Sequence, residues 1–461
     1  MDENYNVENI DIESQDISDD FGNSPTMNEE PKLKSAFENI IEIIFKGDKI
    51  IWLVFVILCV ISMVEVFSAT STLAYKASNH WGPMLKHSLF LLGGFGLILL
   101  MHNIPYRFYS LLTVGLLISI ILLILTEKLG KTVNGAERWL QISVFTVQPS
   151  EFAKLTLMGT IAFLLSRHKG EYEGMYFKWM IGLIILVTGI IAIQNLSTAL
   201  LLFIVCFLMM FIGDVKISRL LKLVGAGVAF VVIAVFLLKV LPPNVVESAG
   251  IKRLPTWQSR IAKFGEKHEK DKEKTYVVTD ENYQVAYAQI AIANGGVIGK
   301  FPGKSKTRDF LPQAYSDFIY AIIIEEMGII GGVFVLLLYV MILFRAGIIA
   351  RRVDNLFPKY LVLGSALMLS IQALVNMAVA VNLIPVTGQP LPLISRGGTS
   401  TLVTCAYFGL ILSADRFSKE RRKKSMLSGN DDDSISDNDE SQDNIDILDI
   451  EKEVEYKVIQ I

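Results

Sequence analysis

Cysteine is scarce. Cys59, Cys206 and Cys405 are the only three in 461 residues, and each falls inside an apolar run. A disulfide framework or a zinc site would need clustered or loop cysteines, so neither is expected. Positive charge is missing at the start, where Lys32 is the first basic residue after Asp2, Glu3, Glu8, Asp11, Glu13, Asp16, Asp19, Asp20, Glu29 and Glu30. No apolar run precedes Ile50, so a cleavable signal peptide is not expected. No internal repeat stands out, although inverted repeats leave little trace in sequence. Gly299 to Ser305 resembles a nucleotide-binding loop, yet that motif needs glycine at 298, where Ile298 stands. Nothing in the pattern points to nucleic acid.

What is abundant is apolar surface. Hydrophobic residues make up 52% of the chain and the mean hydropathy is +0.46, more apolar than a soluble domain usually is. The charge is concentrated at the ends. Acidic, Ser/Asn-rich tracts at 1–45, and again from Asp431 through Asp449, bury too little surface to offset the entropy of ordering, so both tails are expected to be disordered. Between them lies a transmembrane domain over 46–418, followed by a tail over 419–461 that is basic and then acidic.

A helix crosses the hydrocarbon core with about 20 mostly apolar residues. By that measure the chain is all-α and polytopic, with about ten transmembrane helices. They fall near Ile50–Ser68, Leu85–Met101, Tyr109–Leu125, Phe152–Leu165, Met180–Ile193, Leu196–Ile212, Leu220–Leu241, Phe318–Phe344, Tyr360–Val381 and Thr399–Ser413. Basic residues in short loops face the cytoplasm. Arg107, Arg167, Lys169, Lys216, Arg219, Arg351, Arg352, Lys359 and the run Lys419 to Lys424 all fall on one side if both termini are cytoplasmic. The connection over 243–316, between the seventh and eighth spans, is then a large extracytoplasmic loop. Its many lysines are exempt from the charge rule because the loop is long. They suit an anionic ligand or lipid head group, although mixed charge over Lys263 to Lys274 also fits an ordinary solvated face.

Three motifs carry chemistry. The first is Asn134-Gly-Ala-Glu-Arg138-Trp139, followed by Gln148-Pro-Ser-Glu151-Phe-Ala-Lys154. Residue chemistry alone is met by a helix start, with Pro149 in the first turn and Glu151 pairing with Lys154 at i,i+3. The functional alternative puts Arg138 and Lys154 at the outer surface as donors to a pyrophosphate. The second is Leu311-Pro-Gln-Ala-Tyr-Ser316-Asp317-Phe318, leading to Glu325-Glu326. Ser and Asp are ordinary capping residues, yet carboxylates two turns into an apolar helix are costly and mark function by default. The third is Pro385-Val-Thr-Gly-Gln-Pro-Leu-Pro392, then Ser395-Arg-Gly-Gly-Thr-Ser400. Its three prolines forbid a continuous helix, which favours a re-entrant groove wall over a plain turn. Gln372 and Asn376 add polar groups just upstream.

Together these motifs resemble the SEDS family (shape, elongation, division and sporulation), in family order from about Lys46 to Arg421. Ser259-Arg-Ile with Phe264, and Gly295-Gly-x-x-Gly299, are weaker matches. The resemblance implies a glycosyltransferase that polymerises lipid II into glycan strands beside a class B penicillin-binding protein, which crosslinks them. It implies other division-complex membrane proteins and membrane lipids as neighbours, and a place in the bacterial inner membrane at the division septum. The family's catalytic aspartate falls on Asp317 and its important arginine and lysine on Arg138 and Lys154. Substrate contact extends over Trp139, Glu151, Ser395 and Ser400. A divalent cation (Mg or Mn) could assist, but the sequence shows no metal cage. Lys46-Gly-Asp48 and Val64 to Ser68 stand nearer the division-type members than the elongation-type ones. Two departures stand out: Asn195-Leu-Ser-Thr198 where many members have Pro-Asp-Leu-Gly, and Arg396 where tyrosine is usual. A lipid II flippase would also suit many helices with Glu65, Glu325 and Glu326 inside them, and a scaffold acting through the acidic tails is a third possibility.

Overall fold

A computed structural model describes residues 45–69, 81–133, 136–142, 145–168, 172–240, 278–279, 282–311 and 314–427, which belong from Lys46 onward to one compact unit. The acidic tails and most of the long loop lie outside the described residues. Among the described residues all ten expected spans form helices. In chain order they are α1 (Lys49–Ala69), α2 (Gly82–Met101), α3 (Leu112–Leu129), α4 (Pro149–Ser166), α5 (Glu173–Gln194), α6 (Leu196–Ile212), α7 (Ile217–Val240), α9 (Ile319–Arg352), α10 (Leu356–Ala380) and α11 (Thr399–Leu427). The shorter α8 (Tyr283–Gly295) belongs to the long connection.

Six of these helices are long and apolar enough to cross a membrane by length and composition: α1, α2, α3 with the turn before it, α5, α9 and α10. The polar residues of α4 have a simple explanation. Nearly every side of it is buried against protein, so Glu151, Lys154, Thr156 and Thr160 meet neighbours rather than lipid. α4 packs on α3 and α10 in the middle of the bundle, while α2, α3 and α5 turn exposed leucines and isoleucines outward.

Helix ends extend past the apolar runs. α5 starts at Glu173 rather than Met180, because Glu173 accepts Arg219 Nη1 at 2.9 Å and Lys216 Nζ at 3.4 Å. α11 continues to Leu427, carrying the basic run as helix, with the i,i+4 pairs Arg416–Glu420 at 3.0 Å and Lys419–Asp415 at 2.6 Å side by side. Hydropathy marks only the hydrocarbon depth, whereas a helix goes on wherever its polar turns find partners.

A feature that periodicity did not announce lies between α3 and α4. Three short antiparallel strands, β1 (Lys131–Val133), β2 (Ala136–Ile142) and β3 (Phe145–Val147), form a small sheet with Trp139 opposite Lys131 and Leu140 opposite Val147.

The two faces of the bundle are held differently. On the face where α1 begins and α11 ends, Asp48 Oδ1 accepts the Ile50 and Ile51 amides at 3.0 and 3.1 Å, and the carboxylate pairs with Arg345 of α9. Burial alone would raise the Asp48 carboxyl, but Arg345 and the Ile51 amide outweigh it and hold it below the ordinary value. The opposite face carries the long connection, and there α9 bends. Gly328 has φ 72° and ψ −179°, outside helical values. The turn after α8 replaces the lost helical partners. Lys300 N donates to Glu325 O at 3.0 Å and Phe301 N to Glu326 O at 2.7 Å, while Ile329 N returns to Gly296 O at 3.0 Å. A side chain on Gly328 would collide with the Val297 and Ile298 backbone, and one on Gly299 with the Glu326 backbone. The close approach therefore needs glycine at both positions.

Candidate functional site

On the long-loop face the three motifs meet. The segment after α10 is irregular, with positive φ at Asn382, Gly388, Leu393 and Gly398, as its prolines require of a chain that cannot stay helical. Two hydrogen bonds lace it directly to the segment before α9, and Asn376 of α10 bridges the two. Asn376 Nδ2 donates both to Asp317 O at 2.9 Å and to Gln389 O at 2.8 Å. Ser395 Oγ donates to Ser316 O at 2.6 Å, and Arg396 N donates to Tyr315 O at 3.0 Å. Arg396 also lies over the Tyr315 ring, 5.5 Å from its centroid. The 385–398 segment is thus an irregular wall packed on the 315–317 backbone, and its prolines account for the break in helix.

Asp317 is half-buried in this lacing. Its Oδ1 accepts Ser316 Oγ at 3.0 Å, and a methyl built on Gly388 would come within 3.6 Å of its Oδ2. The α9 cap is Phe318, one residue later, and makes no side-chain hydrogen bond.

The first motif supplies a buried ion pair. Lys154 Nζ lies 2.8 Å from Glu151 Oε1, and Lys154 is fully buried. Its ammonium also donates to Gln372 Oε1 at 2.9 Å, and Gln372 Nε2 donates to Pro390 O at 3.0 Å. Lys154 thus touches the groove wall through Gln372. Lys154 is enclosed by protein rather than exposed, and the i,i+3 spacing that suits a helix start also supplies a counter-charge at full burial. Arg138 lies on β2 and its side chain is outside the described residues, while Trp139 beside it is half-buried. β2 leads through β3 into α4, and Gln148 N reaches Thr399 Oγ1 at 3.4 Å, bringing the start of α4 to the start of α11.

Ser395 and Ser400 sit differently from simple substrate contacts. Ser395 Oγ accepts Leu391 N at 2.8 Å besides donating to Ser316 O, so its hydroxyl is engaged in holding the wall. Ser400 Oγ donates to Gly397 O at 3.1 Å within its own turn. Two further anchors carry only faint sequence signals, a lone serine and a lone histidine in apolar helices. Ser62 Oγ lies 2.7 Å from His87 Nε2 and within 3.0 Å of Leu393 O and Ile394 O, pinning the wall to α1 and α2. The departure at Asn195–Thr198 is also absorbed structurally. Asn195 caps α6, and Thr198 Oγ1 accepts Gln389 Nε2 at 2.6 Å.

Glu325 and Glu326, both buried, have partners of their own. Glu325 accepts Lys300 Nζ at 3.2 Å, Ser305 Oγ at 2.5 Å and Thr307 Oγ1 at 3.0 Å. Glu326 accepts Ser68 Oγ at 2.5 Å and Ser305 N at 3.3 Å, with Arg308 Nη1 at 3.7 Å. The glycine-lysine run that resembles a nucleotide loop is therefore the piece that seals the α9 bend. Among the described residues no group of three His, Cys, Asp or Glu side chains is arranged to hold a metal ion.

Ten helices, six of them long and apolar enough to cross a membrane, with a proline-broken polar wall and a half-buried aspartate beside it, define a polytopic membrane protein. Residues 48–420 match the model of the cell-cycle protein family that takes its name from FtsW, RodA and SpoVE, and the chain belongs to that family. A protein of Escherichia coli O6:H1 named probable peptidoglycan glycosyltransferase FtsW is 28% identical over 390 residues, covering 82% of this chain and 88% of its own length. Among solved structures, a chain from work on the coordination of polymerization and crosslinking by a peptidoglycan synthase complex superposes with TM-score 0.64. It is 23% identical, and the match covers 81% of this chain and 99% of that one. The rod shape determining protein RodA of Thermus thermophilus gives TM-score 0.56 at 23% identity, covering 81% of this chain and 97% of its own. Both structural likenesses speak for the fold.

Proposed function

We infer that this chain is a peptidoglycan glycosyltransferase that polymerises lipid II into glycan strands during septal wall synthesis. The observation that carries the reading is Asp317, a carboxylate beside Gly388 whose main-chain oxygen is held by Asn376 of α10, with Ser395 of the wall on the Ser316 oxygen before it. Asp317 takes the proton of an acceptor sugar hydroxyl as that oxygen attacks the anomeric carbon of the lipid-linked donor. The bond to undecaprenyl pyrophosphate breaks, the pyrophosphate departs with the bonding pair, and the anomeric centre inverts. Cations near the leaving group stabilise the charge that develops there. Arg138 and Lys154 are the candidates, with Trp139, Glu151, Ser395 and Ser400 bounding the same face. Purified chain, reconstituted with a class B penicillin-binding protein and given lipid II, is expected to yield glycan polymer. No polymer under conditions in which the folded complex is intact would sink the reading.

The flippase alternative needs polar groups on both sides of the midplane. The intramembrane glutamates it would use instead sit near the long-loop end of their helices. Glu65 is one turn from the end of α1, and Glu326 hydrogen-bonds Ser68 at that same end.

The orientation follows from the same reading. The long-loop face is extracytoplasmic, both termini are cytoplasmic, and a class B penicillin-binding protein is the expected partner. Single cysteines at Lys304 and Arg422 test the orientation in intact cells with a membrane-impermeant maleimide. Labelling is expected at 304 only, and labelling at 422 without lysis would reverse the topology.

A further inference from the structure

The segment that seals the α9 bend is unusual in what it leaves outside. Val297, Ile298 and Phe301 are 63%, 72% and 63% exposed. Phe301 moreover has φ 71°, a left-handed conformation that costs a bulky residue energy and that glycine or asparagine adopts more cheaply. Burial within the protein does not offset that cost. Its backbone is held by Glu326 O, and its ring projects with Lys304 Nζ 5.8 Å from the centroid. Lys304 and Lys306 are exposed beside it.

The depth of this segment can be reckoned along the helices. Asp48 and Arg345 mark one face, and Ser68 lies twenty residues beyond Asp48, about 30 Å at 1.5 Å per residue. Ser68 hydrogen-bonds Glu326, two residues before Gly328, so the bend lies roughly one hydrocarbon thickness away from the other face. From the bend onward α9 exposes Ile329, Ile330, Val333, Phe334 and Leu337. Ile330 N is bonded to Val297 O, so the exposed segment continues this exposed apolar strip.

We propose that residues 297–306 form an interfacial lipid anchor. Val297, Ile298 and Phe301 enter the boundary between head groups and acyl chains, and Lys304 and Lys306 meet the phosphates of anionic phospholipid. Apolar side chains flanked by lysines at this depth are the composition that the interface favours. Charge complementarity with anionic head groups, together with continuity with the α9 strip, selects lipid over a protein partner. The anchor fixes the level of the α9 bend, and with it the depth of the groove that follows Leu311. It is independent of the catalytic reading.

The full chain carrying Cys59→Ala, in nanodiscs containing phosphatidylglycerol, tests this with nitroxide labels on single cysteines at 298, 301 or 309. Labels at 298 and 301 are expected to be reached by oxygen more than by an aqueous nickel chelate, at a depth about 5–10 Å below the phosphates. The label at 309 should favour nickel. Lys304→Gln with Lys306→Gln, or phosphatidylcholine in place of phosphatidylglycerol, should move the 301 label toward water. Nickel access at 301 equal to that at 309 would overturn the anchor. Protection from both reagents would also overturn it, since protein would then cover the segment. An unchanged depth on removing either charge would overturn the role of the lysines. The readout is depth rather than turnover, so its failure leaves the polymerase reading standing.

Discussion

Asp317→Asn is expected to lower glycan polymerisation by about 10²–10⁴-fold, the usual effect of losing a positioned base. The substitution keeps volume, the approach to Gly388 and the ability to accept Ser316 Oγ, and removes the lone pair that takes a proton. A purely structural Asp317 predicts almost no change. The cap of α9 is Phe318 with no side-chain bond, and the clamp on this stretch runs through main-chain oxygens of Ser316 and Asp317, which the substitution leaves in place. The variant should therefore fold and keep its thermal transition while strand synthesis stops. The measurement is glycan length and rate from lipid II with the partner present. Long strands at the parent rate would remove Asp317 from the chemistry and return the site to a binding or transport surface.

The spans were legible because a membrane asks for apolar length, and that demand is written continuously in sequence. Where helices ended was less legible. Glu173 and the Arg416–Glu420 and Lys419–Asp415 pairs prolong α5 and α11 by partners that hydropathy does not count. The sheet before α4 was missed because strands this short carry little alternation. Within the site, the prolines at 385, 390 and 392 announced a broken wall, but not which oxygens would be clamped by Asn376 or Ser395. Such contacts join residues far apart in sequence, and no local pattern specifies them. Lys154 shows the limit most clearly. Its i,i+3 relation to Glu151 was visible, but its complete burial depended on α10 bringing Gln372 to the same point.

That burial makes Lys154→Met the other variant with a large expected effect, and one whose cause can be separated. Removing one member of a buried ion pair typically costs about 3–5 kcal/mol, because the remaining charge is left without a partner. Lys154→Met alone should therefore lower both the thermal transition and the yield of folded protein, as Glu151 is left buried without its counter-charge and Gln372 loses its donor. Glu151→Gln combined with Lys154→Met removes both charges at similar volume and should recover most of the stability. The two interpretations of Lys154 then part. If the pair only holds α4 to the groove wall, the double variant regains polymerisation along with its fold. If the ammonium also stabilises the departing pyrophosphate, the folded double variant stays at least about tenfold slow, as expected for a lost charge-assisted contact of about 1.5–3 kcal/mol. Activity restored to the parent level in the double variant would assign Lys154 to packing, and Arg138 would then be the remaining candidate at the leaving group.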